Sequence, residues 1–469
     1  MKKYIIPFLA ALLALTSCYD LDRAPYDQLS SSTFWQTEDQ CKSGLMGVYA
    51  SLKNTDLYGK IDVNSDVAVG YDQYEALQLG TCTPRTSFLN GKWQNGYNGI
   101  QRANLAIRSI GEAPIDETAK NQMLGEAHFL RALIYFHLMD YFGGLPLYDE
   151  TTNLEQDFND LMNPRSSAEE TRAFIIADLE KAQNSGLPDT WDAANYGRVT
   201  TSAVEGLLGK VYLYSKNYDK AIEHLEKSTS GHELYENFAD LFNLTGHTSS
   251  EMIFSIINLG GTGNDYGMPL CFYAGTRNSF GSCWNNTLPS VDLVDMYEYK
   301  DGRPFNWDEL FPGYTTDNQV RERVFRCTVN DAGDEILDQP AESAKILEMY
   351  EQRDPRMSAT VIAPYSTYLG WNRNEERLMT FIFAKNTKGD VVAVNENNGF
   401  MRNNKGGWET YFWRKFVPEG DWNGAITNRE HTPVNFPIIR LADIYLMLAE
   451  CYNETGNQTK AVEYINKVR

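Results

Sequence analysis

The sequence is poor in histidine and cysteine, the side chains that most often hold transition metals. Its 469 residues include six His and seven Cys, and neither type recurs at the spacing of a metal site. His128 and His137 fall in a strongly apolar segment, where a hydrogen-bonded core histidine is the better interpretation. We therefore predict no metal site and no cofactor of another kind.

The few cysteines do not predict a disulfide framework, because a chain of this length can stabilise itself through a large apolar core. Cys271 with Cys283 is the only pair that we would test for a bridge. The other cysteines are scattered along the chain, at Cys18, Cys41, Cys82, Cys327 and Cys451.

Recognisable catalytic motifs are also missing. The sequence has no His-Glu-x-x-His helix, no Gly-x-Ser-x-Gly elbow and no phosphate-binding loop. Residues 62–66 begin like a calcium loop, but Val67 and Gln73 stand where glycine and a bidentate glutamate are needed. With 63 acidic residues, some carboxylate pair always lies at the separation of a glycosidase site, so such a pair indicates nothing. We predict that the protein is not an enzyme.

Basic residues are in the minority, with 42 Lys and Arg against 63 Asp and Glu and a net charge of −21 at pH 7. Removing Lys2 and Lys3 with the signal peptide described below changes this charge to −23. Such a charge argues against nucleic acid and against anionic lipid as partners. A neutral substrate or a protein partner is favoured.

The longest apolar run, residues 4–15, is shorter than the roughly 20 residues of a membrane-spanning helix. It follows two lysines, as in a signal peptide. Leu15-Thr16-Ser17-Cys18 has the pattern of a bacterial lipobox, in which the cysteine is acylated and becomes the mature N-terminus. We predict a signal peptide at residues 1–17 and a lipid anchor on Cys18. The alternative is an ordinary secretory signal with an incidental cysteine.

Helical periodicity dominates the part of the chain that follows. Residues 18–30 lack an apolar period and contain Pro25, so we interpret them as a tether between lipid and globule. Apolar residues at helical spacing then predict a helix that begins near Thr37. Further predicted helices cover about residues 92–110, 117–142, 166–183 and, as a hairpin, 200–228.

The predicted hairpin has the small-and-large pattern of a tetratricopeptide repeat. Gly209 and Ala221 allow its helices to approach closely, while Tyr212 and Leu225 fill the space between hairpins. Because one such unit cannot bury its own face, at least three hairpins are expected to stack. A second match occupies corresponding offsets 240 residues later, at Leu448, Ala449, Tyr452, Gly456, Ala461 and Ile465.

Between the two matches the pattern changes to short apolar runs separated by Gly, Asn and Pro. We predict one domain at residues 31–469, with helical repeats at about 31–234 and 436–469. Residues 235–435 form an irregular, loop-rich excursion with short strands. The chain ends within a predicted helix, so we expect a missing C-terminal part. The predicted fold class is mainly α, with a tetratricopeptide-like core that carries this irregular half.

Several short segments together resemble the SusD/RagB family of surface nutrient-binding lipoproteins of Bacteroidetes. They follow the family's order along the chain, at residues 93–104, 125–147, 164–167, 197–200, 353–356 and 439–443. The resemblance implies a lipoprotein on the outer face of the outer membrane, seated as a lid on a TonB-dependent, SusC-like transporter. It implies capture of oligosaccharides for import. Trp93, Arg131 and Arg356 lie in shared scaffold motifs and are interpreted as structural.

Two segments, residues 66–74 and 271–286, combine aromatic faces with polar side chains, as sugar binding requires. In the family, ligand contacts come from variable loops near such positions. The resemblance thus makes Tyr71, Tyr74, Tyr273 and Trp284 candidates for stacking on sugar rings. The candidate polar partners in the same segments are Asp66, Arg277, Asn278 and Asn285.

Two other functions remain open at this point. A peptide-binding member of the same family would use similar aromatic loops, and charged residues in the pocket would favour that ligand. A surface glycoside hydrolase is disfavoured by the missing motifs.

Overall fold

The computed structural model describes residues 34–70, 76–152, 162–261, 267–394, 396–401 and 410–469. The predicted signal peptide, Cys18 and the tether lie outside these ranges, as do Tyr71 and Tyr74. Within the described ranges, no helix is long and apolar enough to cross a membrane.

Long helices form the first part of the chain and its end. Their bounds are α1 (Glu38–Ser51), α2 (Ser87–Glu112), α3 (Glu117–Phe142), α4 (Ala168–Gln183), α5 (Thr201–Tyr214), α6 (Tyr218–Ser228), α13 (Leu441–Glu454) and α14 (Gln458–Val468). Local sequence sets several of these ends. Asp116 caps α3 by accepting hydrogen bonds from the N–H groups of Thr118 and Ala119, and Gly143 ends it at a φ of 71°.

The helices pack in sequence, each against the next, until α6 packs against α13. The matches 240 residues apart are structural equivalents. In α5–α6, Lys220 donates a hydrogen bond to the hydroxyl of Tyr212. In α13–α14, Lys460 does the same to Tyr452. Tyr452 also donates to Glu226 on α6, which joins the two hairpins. The predicted stacking of tetratricopeptide-like hairpins is confirmed.

The excursion consists of short helices and small sheets. The helices are α7 (Leu270–Ala274), α8 (Val291–Met296), α9 (Trp307–Leu310), α10 (Asn318–Phe325), α11 (Ser343–Gln352) and α12 (Pro355–Thr360). The strands are β1 (Ala68–Gly70), β2 (Met252–Ile256), β3 (Thr287–Pro289), β4 (Arg326–Val329), β5 (Ile336–Asp338), β6 (Val361–Ile362), β7 (Thr367–Asn372), β8 (Glu375–Thr380), β9 (Phe383–Lys385), β10 (Phe412–Trp413) and β11 (Phe436–Arg440).

The pairing of the strands ties the excursion to the helices at two places. Strand β2, where the chain enters the excursion, pairs antiparallel with β11, where it returns. Strand β1, which precedes α2, pairs antiparallel with β3. The remaining pairs are β6 with β10, β7 with β8, and β4 with both β5 and β9. The long helices share one apolar core with β2 and β11, whereas β1, β3 and much of the excursion share a second.

The residues interpreted as scaffold do have structural contacts. Arg131 is fully buried and forms ion pairs with Asp178 and Glu150. Burial would raise the pKa of Asp178, but hydrogen bonds from Arg131 and His128 lower it. Trp93 packs edge-on against Phe142, with 5.2 Å between ring centroids.

Some details differ from the prediction. Helix α2 begins at Ser87, before the predicted start at Lys92, because the two apolar residues of this first stretch, Phe88 and Leu89, are adjacent and show no helical period. Of the short apolar runs in the excursion, residues 252–256 form β2, whereas residues 391–394 contribute one isolated bridge, from Val391 to Lys385. Cys271 and Cys283 are both buried free thiols and are not bridged to each other.

The approach of α5 to α6 gives a first test. A Cβ atom on Gly209 would lie 2.5 Å from Leu225 Cγ, so Gly209→Ala should lower the free energy of unfolding by about 1–3 kcal/mol through overpacking. The exposed Gly111 on α2 has nothing within 4 Å of its Cβ position. Gly111→Ala should instead stabilise by about 0.5–1 kcal/mol, since alanine favours the helix. Urea denaturation of both variants measures the difference; equal effects would contradict the close approach.

Candidate functional site

A cavity of about 470 Å³ lies where the helical part meets the excursion. Its volume falls in the usual range for small-ligand sites. Three parts of the chain build it: the segment between α1 and α2, the excursion, and the return through β11 into α13. Aromatic residues form much of the lining, namely Tyr58, Phe238, Phe242, Tyr273, Tyr297, Trp413, Phe416 and Phe436.

Tyr273 is the sequence candidate that lines this cavity. It lies in the short helix α7 and is half-buried. The ammonium group of Lys60 lies 4.2 Å from the centroid of its ring. A cation over one ring face fixes the orientation of the ring. Tyr273 therefore reaches the cavity as a positioned aromatic side chain.

Trp284 lies beside the cavity on an exposed surface, with 46% of its side chain accessible. Its ring centroid is 4.8 Å from that of Phe272, which in turn lies 5.3 Å from Tyr273. The guanidinium of Arg429 covers the ring of Phe272 and donates hydrogen bonds to the carbonyls of residues 281 and 282. One packed aromatic group thus connects the exposed Trp284 with the cavity.

The four polar candidates that the structure describes differ in their burial, and all lie outside the lining of the cavity. Asn278 is buried in a turn, where its carbonyl accepts a hydrogen bond from the N–H of Trp371 at 2.5 Å. Asn285 is buried at a φ of 57°, and its Oδ1 has no hydrogen-bond partner in the described chain. Arg277 is half-buried and Asp66 is exposed. None of these four lines the cavity.

The charged side chains of the cavity were missed by the sequence analysis. They are Lys60, Asp62, Lys415, Arg440 and Asp443. They come from three separate segments, so no local pattern joins them. The one signal available was the mixture of aromatic and basic residues at 411–416.

Two of these charges belong to ion pairs at the cavity wall. Arg440 pairs with Glu251, and Asp443 pairs with Lys210 at 3.1 Å. Lys415 instead lies over aromatic rings, with its ammonium 4.1 Å from the centroid of Phe242.

Burial disfavours the charged states of Lys415 and Asp62. Burial and the nearby Arg440 lower the pKa of Lys415 to about 8, against the opposing effect of Asp62. Burial raises the pKa of Asp62, although its side chain is exposed to solvent and Lys415 acts in the other direction. The cavity therefore contains an ammonium and a carboxylate that do not form an ion pair with each other.

The segment that carries Lys60 and Asp62 is held by a buried lysine. Lys92 on α2 is 1% exposed and donates a hydrogen bond to the carbonyl of Leu57 at 3.1 Å. Burial lowers the pKa of Lys92 to about 7 and that of the neighbouring His137 to about 3. Among the described residues, no group of His, Cys, Asp and Glu is placed to hold a metal ion.

Models of known families match most of the chain. A model of the SusD family matches residues 250–469, and a model described as "Starch-binding associating with outer membrane" matches residues 21–213. A tetratricopeptide-repeat model matches residues 206–230, which cover most of α5 and α6.

Individual proteins of the same type are similar over most of the chain. SusD-like protein P25 of Formosa agariphila is 24% identical over 492 aligned residues, covering 99% of this chain and 81% of the relative. A SusD-like carbohydrate-binding protein of Bacteroides fragilis has the same fold, with a TM-score of 0.72, 21% identity and coverage of 93% and 79%. Surface glycan-binding protein A of Bacteroides thetaiotaomicron, solved with laminarihexaose, gives a TM-score of 0.61 at 16% identity, with coverage of 92% and 82%.

The lowered pKa of Lys92 predicts a pH-dependent stability. Its folded pKa of about 7 lies below the unfolded value of 10.5, so the unfolded state binds more protons between these pH values. The free energy of unfolding should therefore rise by up to about 3 kcal/mol from pH 7 to pH 10 through this residue. Lys92→Met should remove that rise. Urea denaturation at both pH values tests this, and an unchanged slope in the variant would contradict the assignment.

Proposed function

Because the chain belongs to the SusD/RagB family, we propose that it is a non-catalytic surface lipoprotein that binds oligosaccharides. In this proposal it delivers them to a TonB-dependent, SusC-like transporter of the outer membrane. The observation that carries the proposal is the aromatic cavity with the exposed Trp284 beside it. Sugar rings present apolar faces that stack on aromatic side chains, and hydroxyls that need polar partners at the edge.

The two aromatic candidates suit different parts of a glycan chain. Tyr273 faces the cavity, where about 470 Å³ gives room for one or two sugar rings. Trp284 is exposed and connected to Tyr273 through Phe272, so it is placed to stack on a ring outside the cavity. We propose that one oligosaccharide contacts both. Tyr71 and Tyr74 are proposed as further stacking residues on sequence grounds alone.

The cellular setting is proposed from the sequence and the family. The lipobox at Cys18 supports a lipid anchor, and the family model's description supports association with the outer membrane. An extracellular orientation and a transporter partner are proposed because they accompany this family.

The lining of the cavity supports binding over hydrolysis. Glycosidases use two carboxylates as acid and base or nucleophile. Of the two carboxylates in the described lining, Asp443 is held in an ion pair with Lys210. A peptide remains the second candidate ligand, because Lys415 and Asp62 would also suit the charges of a peptide.

Substitution of the aromatic residues tests the proposal. We expect Trp284→Ala and Tyr273→Leu each to weaken glycan binding about fivefold, since one stacking contact contributes about 1 kcal/mol. Tyr214→Ala removes an aromatic residue that is 53% exposed and lies away from the cavity, and it should leave binding unchanged. Isothermal calorimetry of the purified mature protein against a polysaccharide panel, with peptides included, measures these effects.

Chromatography of the same mixtures checks catalysis. Intact glycan after prolonged incubation is expected. Shortened products from pure protein would contradict the non-catalytic assignment, and binding of peptides without glycans would replace the proposed ligand.

A further inference from the structure

The described lining of the cavity is cationic in a protein that is acidic as a whole. The net charge of the chain is −21, yet Lys60, Lys415 and Arg440 all face this one space. Arg440 pairs with Glu251 and Asp443 pairs with Lys210, so each of these two ion pairs has no net formal charge. The cation of interest in the described lining is Lys415, and Asp62 is the carboxylate of the lining that acts on its charge.

Lys415 is the cation of this lining that contacts aromatic rings and, among the described residues, has no acidic partner at ion-pair distance. It is half-buried, and in the described part of the chain its ammonium has no hydrogen-bond acceptor and no ion pair. Its contacts are the rings of Phe242 at 4.1 Å and Phe416 at 5.4 Å. Aromatic faces attract a cation, but they do not satisfy the three donors of an ammonium group.

Arg440 adds a second cationic group at the same place, and its ion pair with Glu251 offsets its charge only in part, since Arg440 still lowers the pKa of Lys415. Its guanidinium lies 5.4 Å from the centroid of the ring of Phe242, which Lys415 also contacts. Like charges this close repel each other, and an anion between them would relieve the repulsion.

Resting on the proposed function, we propose that the cavity binds the anionic substituent of an acidic glycan, a carboxylate or a sulfate ester. Lys415 donates to the anionic oxygens, with Arg440 nearby, and Tyr273 stacks on the sugar ring that carries the group. Asp62 opposes the anion and limits its affinity. The ligand therefore has a negative charge in spite of the negative charge of the whole protein.

The titration of Lys415 supports this assignment. Its pKa is lowered to about 8, and a bound anion would raise it, since an opposite charge favours the protonated form. The other titratable or charged groups of the described lining are Lys60, Asp62, Arg440, Asp443 and the hydroxyls of Tyr58, Tyr273 and Tyr297. Burial raises the pKa of Tyr58 and of Tyr297 and so keeps both neutral. Binding of an acidic glycan should therefore weaken above pH 8.

A matched pair of ligands isolates the charge. Trigalacturonate and its methyl ester have the same rings, but only the first is charged. We expect trigalacturonate to bind at least about tenfold more tightly, with the preference decreasing as salt is added. A sulfated oligosaccharide and its desulfated form give the second arm and show whether carboxylate or sulfate is preferred.

Variants then locate the effect. Lys415→Gln should abolish the preference for the charged ligand, Lys415→Arg should keep most of it, and Asp62→Asn should increase it. Lys345→Gln is the matched control, because Lys345 also lies over a ring, that of Phe311 at 4.8 Å, outside the cavity. Equal binding of charged and neutral ligands, or an equal loss of both in Lys415→Gln, would overturn the inference.

A titration that needs no specific glycan completes the test. NMR of 13C-methylated lysines should show the Lys415 signal, assigned with Lys415→Arg, titrating at higher pH with glucuronate than with glucose. No difference would overturn the anion site even if neutral glycans bind through Tyr273 and Trp284. A response to acidic peptides but not to acidic sugars would also overturn it. Loss of all glycan binding would instead count against the proposed function.

Discussion

The α13–α14 hairpin packs against α6 and closes the helical part of the fold. It buries a helix face that the α5–α6 hairpin cannot cover alone. It also forces the chain to return to the place that it left, so the long excursion begins and ends at the paired strands β2 and β11. The cavity forms beside this closure, from side chains that lie hundreds of residues apart.

The cavity has both aromatic walls and charged side chains, and these two kinds of lining favour different ligands. Aromatic walls favour an apolar surface, whereas Lys415 and Asp62 require polar partners. A saccharide has both, with apolar ring faces and polar edges. Burial lowers the pKa of Lys415 to about 8, so its ammonium is still mostly protonated at pH 7 but is less favourable than in water. Lys92 holds the segment that carries Lys60 by donating a hydrogen bond to the carbonyl of Leu57.

The helical scaffold was predictable from the sequence because its signals are local. The bounds of α3 follow from Asp116 and Gly143, and the repeat follows from Gly209 and its equivalent Ala449. The site was only partly predictable. Tyr273 and Trp284 stood out as aromatic residues in loop-like sequence, but Asn278 proved to be buried in a turn. Lys415 was missed because its significance depends on Phe242, Arg440 and Asp62, which only the tertiary fold brings together.

We propose that an oligosaccharide occupies the cavity between the helical part and the excursion. A crystal structure of the protein with an oligosaccharide selected from the binding panel tests it directly. We expect density for a sugar ring against Tyr273, with the glycan chain continuing toward Trp284. A ligand bound on another surface, with the cavity filled only by water, would show that the cavity is not the binding site.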